Sequence, residues 1–187
     1  MEEDLELLQK FRLGDEASFT KLVVKYQKPV LNIIYRFTQN KHMAEDMAQE
    51  VFIRVYRGAE KFEERSKFFT WLYRIAINYC IKQAQRWKSR QESSLEEQTE
   101  KGKLSDTISD PSPSPQGCLE KEYMMVTVRK AVLSLPDDQR AVVILSKFNQ
   151  LSYEDIASVL KISVPSVKSK LHRAKLKLKE KLREVVL

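Results

Sequence analysis

Residues 151–178 read LSYEDIASVLKISVPSVKSKLHRAKLKL, and this stretch decides the fold. Ser152 followed three positions later by Asp155 is a capping-box-like helix start, which predicts a short helix over 153–160. The three residues Lys161, Ile162 and Ser163 leave room only for a tight turn, and Pro165 suits the first turn of a second helix. Small Ala157 stands where the two helices would cross. In the second helix Val164, Val167, Leu171, Ala174, Leu178 and Leu182 fall on one narrow apolar stripe. The pattern predicts a helix-turn-helix whose outer face carries short polar and basic side chains, with Lys175, Lys177, Lys179 and Lys181 behind them. Such a face suits the major groove, its first residues reaching base edges and its later lysines facing phosphates.

Working back toward the amino terminus, a helix is expected over 119–133, stopped at Pro136. Asp137 and Asp138 then favour the positive end of a helix running to about residue 148. Before these, residues 89–117 are rich in Ser, Glu, Gln and Pro and nearly lack large apolar residues. A segment of that composition buries too little to offset its chain entropy, so it reads as a linker. Upstream the helical period returns. A helix over 5–13 stops at Gly14, Asp15 caps the next, Pro29 is expected to break it, and 30–37 continues as helix. A third helix is expected over about 43–61 with Ala44, Met47, Val51 and Val55 buried, and a fourth over about 69–87. Leu72, Ile75, Ala76 and Tyr79 are its expected core face. The fold class is therefore all-α, with two small helical domains (1–90 and 119–187) joined by a flexible acidic linker (91–118), the second containing the helix-turn-helix.

The 187 residues carry a net charge of +7, and its distribution is informative. Residues 1–90 hold 17 Lys+Arg against 12 Asp+Glu, net +5; residues 91–122 hold 3 against 8, net −5; residues 123–187 hold 13 against 6, net +7. Two basic blocks flanking an acidic strip point to a polyanionic partner. The four glycines, Gly14, Gly58, Gly102 and Gly117, are isolated, which excludes the common glycine-rich phosphate cradles. Cys80, Cys118, His42 and His172 lie far apart without metal-ligand spacing, so no metal and no cofactor is expected. The acidic amphipathic start MEEDLELLQKF is unlike a secretory signal, no apolar run is long enough to span a bilayer, and a cytoplasmic protein is expected.

Residues 62–88, FEERSKFFTWLYRIAINYCIKQAQRWK, interleave seven aromatic side chains with Arg65, Lys67, Arg74, Lys82, Arg86 and Lys88. Basic groups attract a phosphate backbone, and flat aromatic faces offer platforms for unpaired bases. On the helix before it, Ile53 interrupts an otherwise polar face formed by Asp46, Gln49, Glu50, Tyr56 and Arg57, where it could seat a partner helix.

The segments DMAQEVFIRVYR, KFFTWLYRIAIN and LPDDQRAVVILSKFNQLSYEDIASVLKISVPSVKSKLHRAKLKLK, in this order and spacing, resemble the successive signature segments of bacterial extracytoplasmic-function RNA polymerase sigma factors. The resemblance implies a dissociable, non-enzymatic initiation subunit that binds core RNA polymerase and promoter DNA, with an anti-sigma factor as a further partner and a role in stress response. By position it implies that Asp46, Gln49, Glu50, Ile53, Arg54 and Arg57 lie in the helix that binds the polymerase clamp. It places the minus-ten element and an extruded nontemplate base against Phe62, Arg65, Ser66, Lys67, Phe69, Arg74, Asn78 and Lys82. It places the minus-thirty-five element against Ser166, Lys168, Ser169, Lys170, His172, Arg173 and Lys175, with His172 where the family often has an aromatic residue. In that family the linker threads the RNA exit channel, where acidic residues could stand in for RNA.

Two other functions fit parts of the chain. An autonomous helix-turn-helix regulator would bind duplex DNA unaided, but it would need neither the aromatic-basic stretch nor Ile53. A nucleic-acid enzyme would need clustered carboxylates for a metal or a paired nucleophile and base. Asp46 and Glu50, one turn apart on one helix, do not make such a cluster.

Overall fold

In a computed structural model, which describes the backbone of residues 2–63, 66–97 and 117–183 and the side chains of 3–63, 66–90 and 123–183, the chain is helical with no strand among the described residues. The amino-terminal domain holds α1 (Glu2–Arg12), α2 (Glu16–Thr38), α3 (Lys41–Gly58), a 3-10 turn (Ala59–Lys61) and α4 (Phe68–Glu97). The carboxy-terminal domain holds α5 (Gly117–Leu133), α6 (Asp137–Lys147), α7 (Tyr153–Leu160) and α8 (Val164–Lys181).

Local chemistry sets most boundaries. Gly14 takes φ +100 between α1 and α2, and the Asp15 carboxylate accepts from the Ala17 amide at 3.1 Å to cap α2. Asn40 caps α3 by accepting from the Met43 amide at 3.0 Å. The inner faces of α2, α3 and α4 close a core through Leu22, Val30, Ile33, Ile34, Val51 and Leu72, all at most 1% exposed. Inside it the Tyr26 hydroxyl donates to the buried Asp4 carboxylate at 2.7 Å, and Lys25 closes an ion pair with Asp4 at 2.6 Å.

Three expectations need correction. Pro29 does not break the second helix; α2 runs through it. Proline removes one hydrogen bond and crowds the preceding turn at a cost of about 3 kcal/mol. Leu22 and Tyr26 before it and Val30, Ile33, Ile34 and Phe37 after it are buried in the same core, each worth roughly 1.5–3 kcal/mol, so packing outweighs the local cost. The third helix ends at Gly58 and tightens into the 3-10 turn rather than continuing to 61. In α4 the buried positions include Tyr73, Ile77 and Cys80 beside Leu72 and Ala76, while Ile75 and Tyr79 are half-buried. A helix packed on several sides has no single apolar stripe. Its backbone continues to Glu97, into the stretch read as linker; residues 98–116 lie outside the described residues.

In the second domain α6 is the central element: its residues from Gln139 to Leu145 are all buried. A helix buried all round has neighbours on every side. One side meets α7 and α8, and the other meets α2 and α4 of the first domain, so the two apolar clusters merge into one.

Candidate nucleic-acid and partner interfaces

The outer face of α3 carries the expected partner-binding residues. Asp46, Gln49, Arg54 and Arg57 are exposed, and Ile53 stays 43% exposed amid them. Glu50 and Arg54, one turn apart, pair at 2.8 Å, and the Arg54 guanidinium lies 4.4 Å from the Tyr79 ring centre, which ties this face to α4. Tyr56, also 43% exposed, extends the apolar part of the face; its hydroxyl donates to Glu16 at 2.8 Å, and that hydrogen bond raises its pKa.

Where α3 leads through the 3-10 turn toward α4, a cavity of about 350 Å³ opens, lined by Lys61, Phe62, Glu63, Ser66, Trp71 and Arg74. Phe62 is only 5% exposed; its ring lies tilted against that of Trp71 with centroids 4.8 Å apart, and its carbonyl accepts from Arg12. It is therefore a fixed floor of the cavity rather than an open platform. Trp71, an aromatic residue of 62–88 outside the expected site set, forms the wall beside Phe62. A Cβ at Gly58 would stand 3.2 Å from the Trp71 ring, so a side chain there would press on that wall. Asn78 and Lys82 follow Arg74 at one-turn intervals and are exposed. Phe69 is half-buried, its ring 5.8 Å from that of Tyr73, with the Lys67 ammonium 5.4 Å from the Phe69 ring centre. Arg65 lies outside the described residues. The structure thus gathers Phe62, Ser66 and Arg74 around one cavity and sets Asn78 and Lys82 along the helix leading from it.

The helix-turn-helix forms as its sequence predicts. Ser152 Oγ accepts from the Asp155 amide at 3.0 Å to start α7, Lys161 takes φ 54 at its end, and Ser163 Oγ accepts from the Ser166 amide at 3.3 Å to start α8. Val167, Leu171 and Ala174 are buried against the domain. Lys168, Ser169, His172, Arg173 and Lys175 are exposed on one side, and Ser166 is half-buried at the helix start. Lys170 differs from them: it is half-buried and paired with Asp138 of α6. Burial alone would raise the Asp138 pKa, but the Lys170 hydrogen bond and charge outweigh it and hold the carboxyl below its usual range.

Among the described residues no group of three His, Cys, Asp or Glu is placed to hold a metal. Cys80 is buried, which pushes its thiol up to about 12 and leaves it un-ionised at neutral pH. No helix among the described residues is long and apolar enough to cross a membrane.

Comparison with known proteins finds the Sigma-70 region 2 family over residues 22–91 and the Sigma-70 region 4 family over residues 125–178. The RNA polymerase sigma-H factor of Pseudomonas aeruginosa is 35% identical over 93% of this chain and 91% of its own. The sigma-E factor of Escherichia coli K12 is 32% identical over 98% and 96%, and SigW of Bacillus subtilis is 32% identical over 95% and 96%. Among solved structures, CnrH in complex with the cytosolic domain of CnrY matches with a TM-score of 0.69 at 19% identity, covering 97% of this chain and 98% of that one. The sigma factor RpoE of Bartonella quintana, in complex with the anti-sigma factor NepR, matches with a TM-score of 0.62 at 21% identity, covering 88% and 96%.

Proposed function

The chain belongs to the extracytoplasmic-function sigma factors of bacterial RNA polymerase, and we propose that it divides the work of promoter recognition among three separate surfaces. The outer face of α3, with Ile53 at its centre and Asp46, Gln49, Glu50, Arg54 and Arg57 around it, binds the core polymerase. The cavity between the 3-10 turn and α4 receives a nontemplate base flipped from the minus-ten element, with Phe62 and Trp71 as apolar walls and Arg74 at the rim. Asn78 and Lys82, farther along α4, meet the same strand. The outer face of α8, led by Lys168, Ser169, His172 and Arg173, reads the minus-thirty-five duplex. The boundaries of the work follow the domains: residues 1–90 for the polymerase and the minus-ten element, 119–187 for the minus-thirty-five element, and 91–118 between them.

The cavity carries this reading. An extruded base needs an aromatic-walled hollow to enter, whereas a regulator that binds intact duplex does not. The protein acts by binding, without bond chemistry of its own, and works in the cytoplasm where core polymerase is found. An anti-sigma protein is the expected restraining partner; RpoE of Bartonella quintana is seen with one. Run-off transcription with core polymerase on a genomic fragment library tests the whole proposal and reads the promoter. Tight, specific duplex binding by the protein alone, with no polymerase-dependent initiation, would favour the autonomous regulator.

A further inference from the structure

The cavity beside the 3-10 turn is framed from a helix that does not line it. Arg12, half-buried in the last turn of α1, reaches across to that turn. Its Nε donates to the Ala59 carbonyl at 2.9 Å, and a terminal nitrogen of the same guanidinium donates to the Phe62 carbonyl. The two acceptors stand at either end of the turn, where α3 closes. Carbonyls at a helix end lack partners within the helix and carry its negative pole, so a guanidinium is held there by both effects. Within the turn the Phe62 amide also reaches the Ala59 carbonyl, at 3.3 Å.

The grip extends into the cavity. A fixed Phe62 backbone fixes the point from which its ring projects, and that ring supports the Trp71 wall at 4.8 Å. The helix that carries Arg12 is anchored without it: Leu8 is fully buried, and the Phe11 ring lies 4.8 Å from Phe19 and 5.0 Å from Tyr56. The guanidinium therefore acts on the turn rather than on the seating of α1. We propose that Arg12 is a positioning residue for capture of the flipped base: it touches no base, but its planar fork holds the 3-10 turn so that Phe62 and Trp71 keep the spacing an unstacked base needs. The proposal rests on the reading of this cavity as the base site. Lysine would keep the charge but replace the fork by a point charge on a flexible stem. Apparent affinity falls with the competent fraction, so a turn kept in place in about a tenth of molecules weakens base capture about tenfold.

The test uses the complex of the full-length chain with core polymerase. The probes are single-stranded nontemplate oligonucleotides of a promoter that it transcribes, made intact and with one abasic position at a time. In the wild type, the position whose base is lost at the greatest cost in affinity marks the flipped base. Arg12→Lys leaves the net charge, and with it the attraction to phosphates, unchanged. It should weaken binding of the intact strand about tenfold and leave binding of the strand abasic at the marked position unaltered. Equal weakening of both strands, or unchanged binding of the intact one, overturns the proposal. Trp71→Ala tests the cavity itself. If no abasic position matters in the wild type, or Trp71→Ala weakens both strands alike, the base-site reading fails and the role of Arg12 with it. If Trp71→Ala loses the intact strand alone and Arg12→Lys does not, the site stands and the assignment of Arg12 falls. A second measurement needs no DNA. Trp71 and Trp87 are the only tryptophans, so fluorotryptophan labelling gives two fluorine resonances, assigned with Trp71→Phe. Arg12→Lys should shift or broaden the Trp71 resonance and leave that of Trp87, roughly 24 Å farther along α4, in place. An unmoved Trp71 resonance, or equal movement of both, overturns the proposal whatever the variant does to strand binding.

Discussion

Ile53→Ala offers a clean separation of binding from stability. The side chain is 43% exposed, so a partner can bury at most that fraction of it. Fully burying an isoleucine is worth roughly 1.5–3 kcal/mol, and 43% of that is about 0.6–1.3 kcal/mol. Truncation should therefore weaken association with core polymerase by about 3- to 9-fold. The folded chain should hardly notice, because alanine is the better helix former and exposed substitutions usually change stability by less than about 0.5 kcal/mol. Fluorescence anisotropy of labelled protein titrated with core polymerase measures the first quantity, and thermal unfolding measures the second. Promoter-strand binding by the free protein should be unaltered, since the α3 face lies apart from the cavity. An affinity within twofold of wild type would remove Ile53 from the interface. A loss far beyond tenfold accompanied by a lower midpoint would mean that the residue acts through packing.

Three further outcomes are expected. Asn78→Ala should slow open-complex formation, read by permanganate footprinting, while sparing core binding. Loss of one net hydrogen bond gives roughly a 2- to 12-fold effect. Arg173→Ala, on the exposed face of α8, should weaken binding to minus-thirty-five duplex and reduce the salt dependence of that binding, without changing affinity for core polymerase. Asp138→Asn should lower stability at neutral pH but not in acid. The folded carboxyl titrates below its unfolded value, so its contribution is present above about pH 4 and disappears as pH falls through the lower folded pKa. Denaturant midpoints of both proteins from pH 7 to pH 3 should converge at the acid end.

How far the sequence discloses the molecule depends on how local the deciding physics is. The start and end of α7 match the expected 153–160 because a serine cap and a tight three-residue turn act within a few residues. Pro29 misleads because its cost is local, while the burial of Ile33, Ile34 and Phe37 that overrides it comes from other helices. Phe62 belongs to the expected site, but its burial could not be read from a linear pattern. It depends on Trp71 nine residues on and on Arg12 fifty residues back. One missed signal was legible: residues 141–145, AVVIL, hold no polar position at all. A helix with a single partner domain would show an outer polar face, so this run already called for contacts on two sides.

That run also bears on how the packing of the two domains is driven and oriented. The apolar side of α6 that meets α2 and α4 would favour docking of almost any kind, because burial is non-directional. Orientation comes from the polar contacts around it, and each is partnered in a particular geometry: Arg140 reaches the end of α2, Lys88 reaches Asp137, and Arg74 reaches the end of α7. The ion pairs at Lys88 and, beside Arg74, at Lys67 are exposed on the lysine side, and exposed pairs contribute only about 0–1 kcal/mol each. Arg74 belongs to both surroundings at once: it stands at the rim of the cavity, and its Nε and one terminal nitrogen donate to the Val159 and Ser158 carbonyls at the end of α7, two of its five N–H donors.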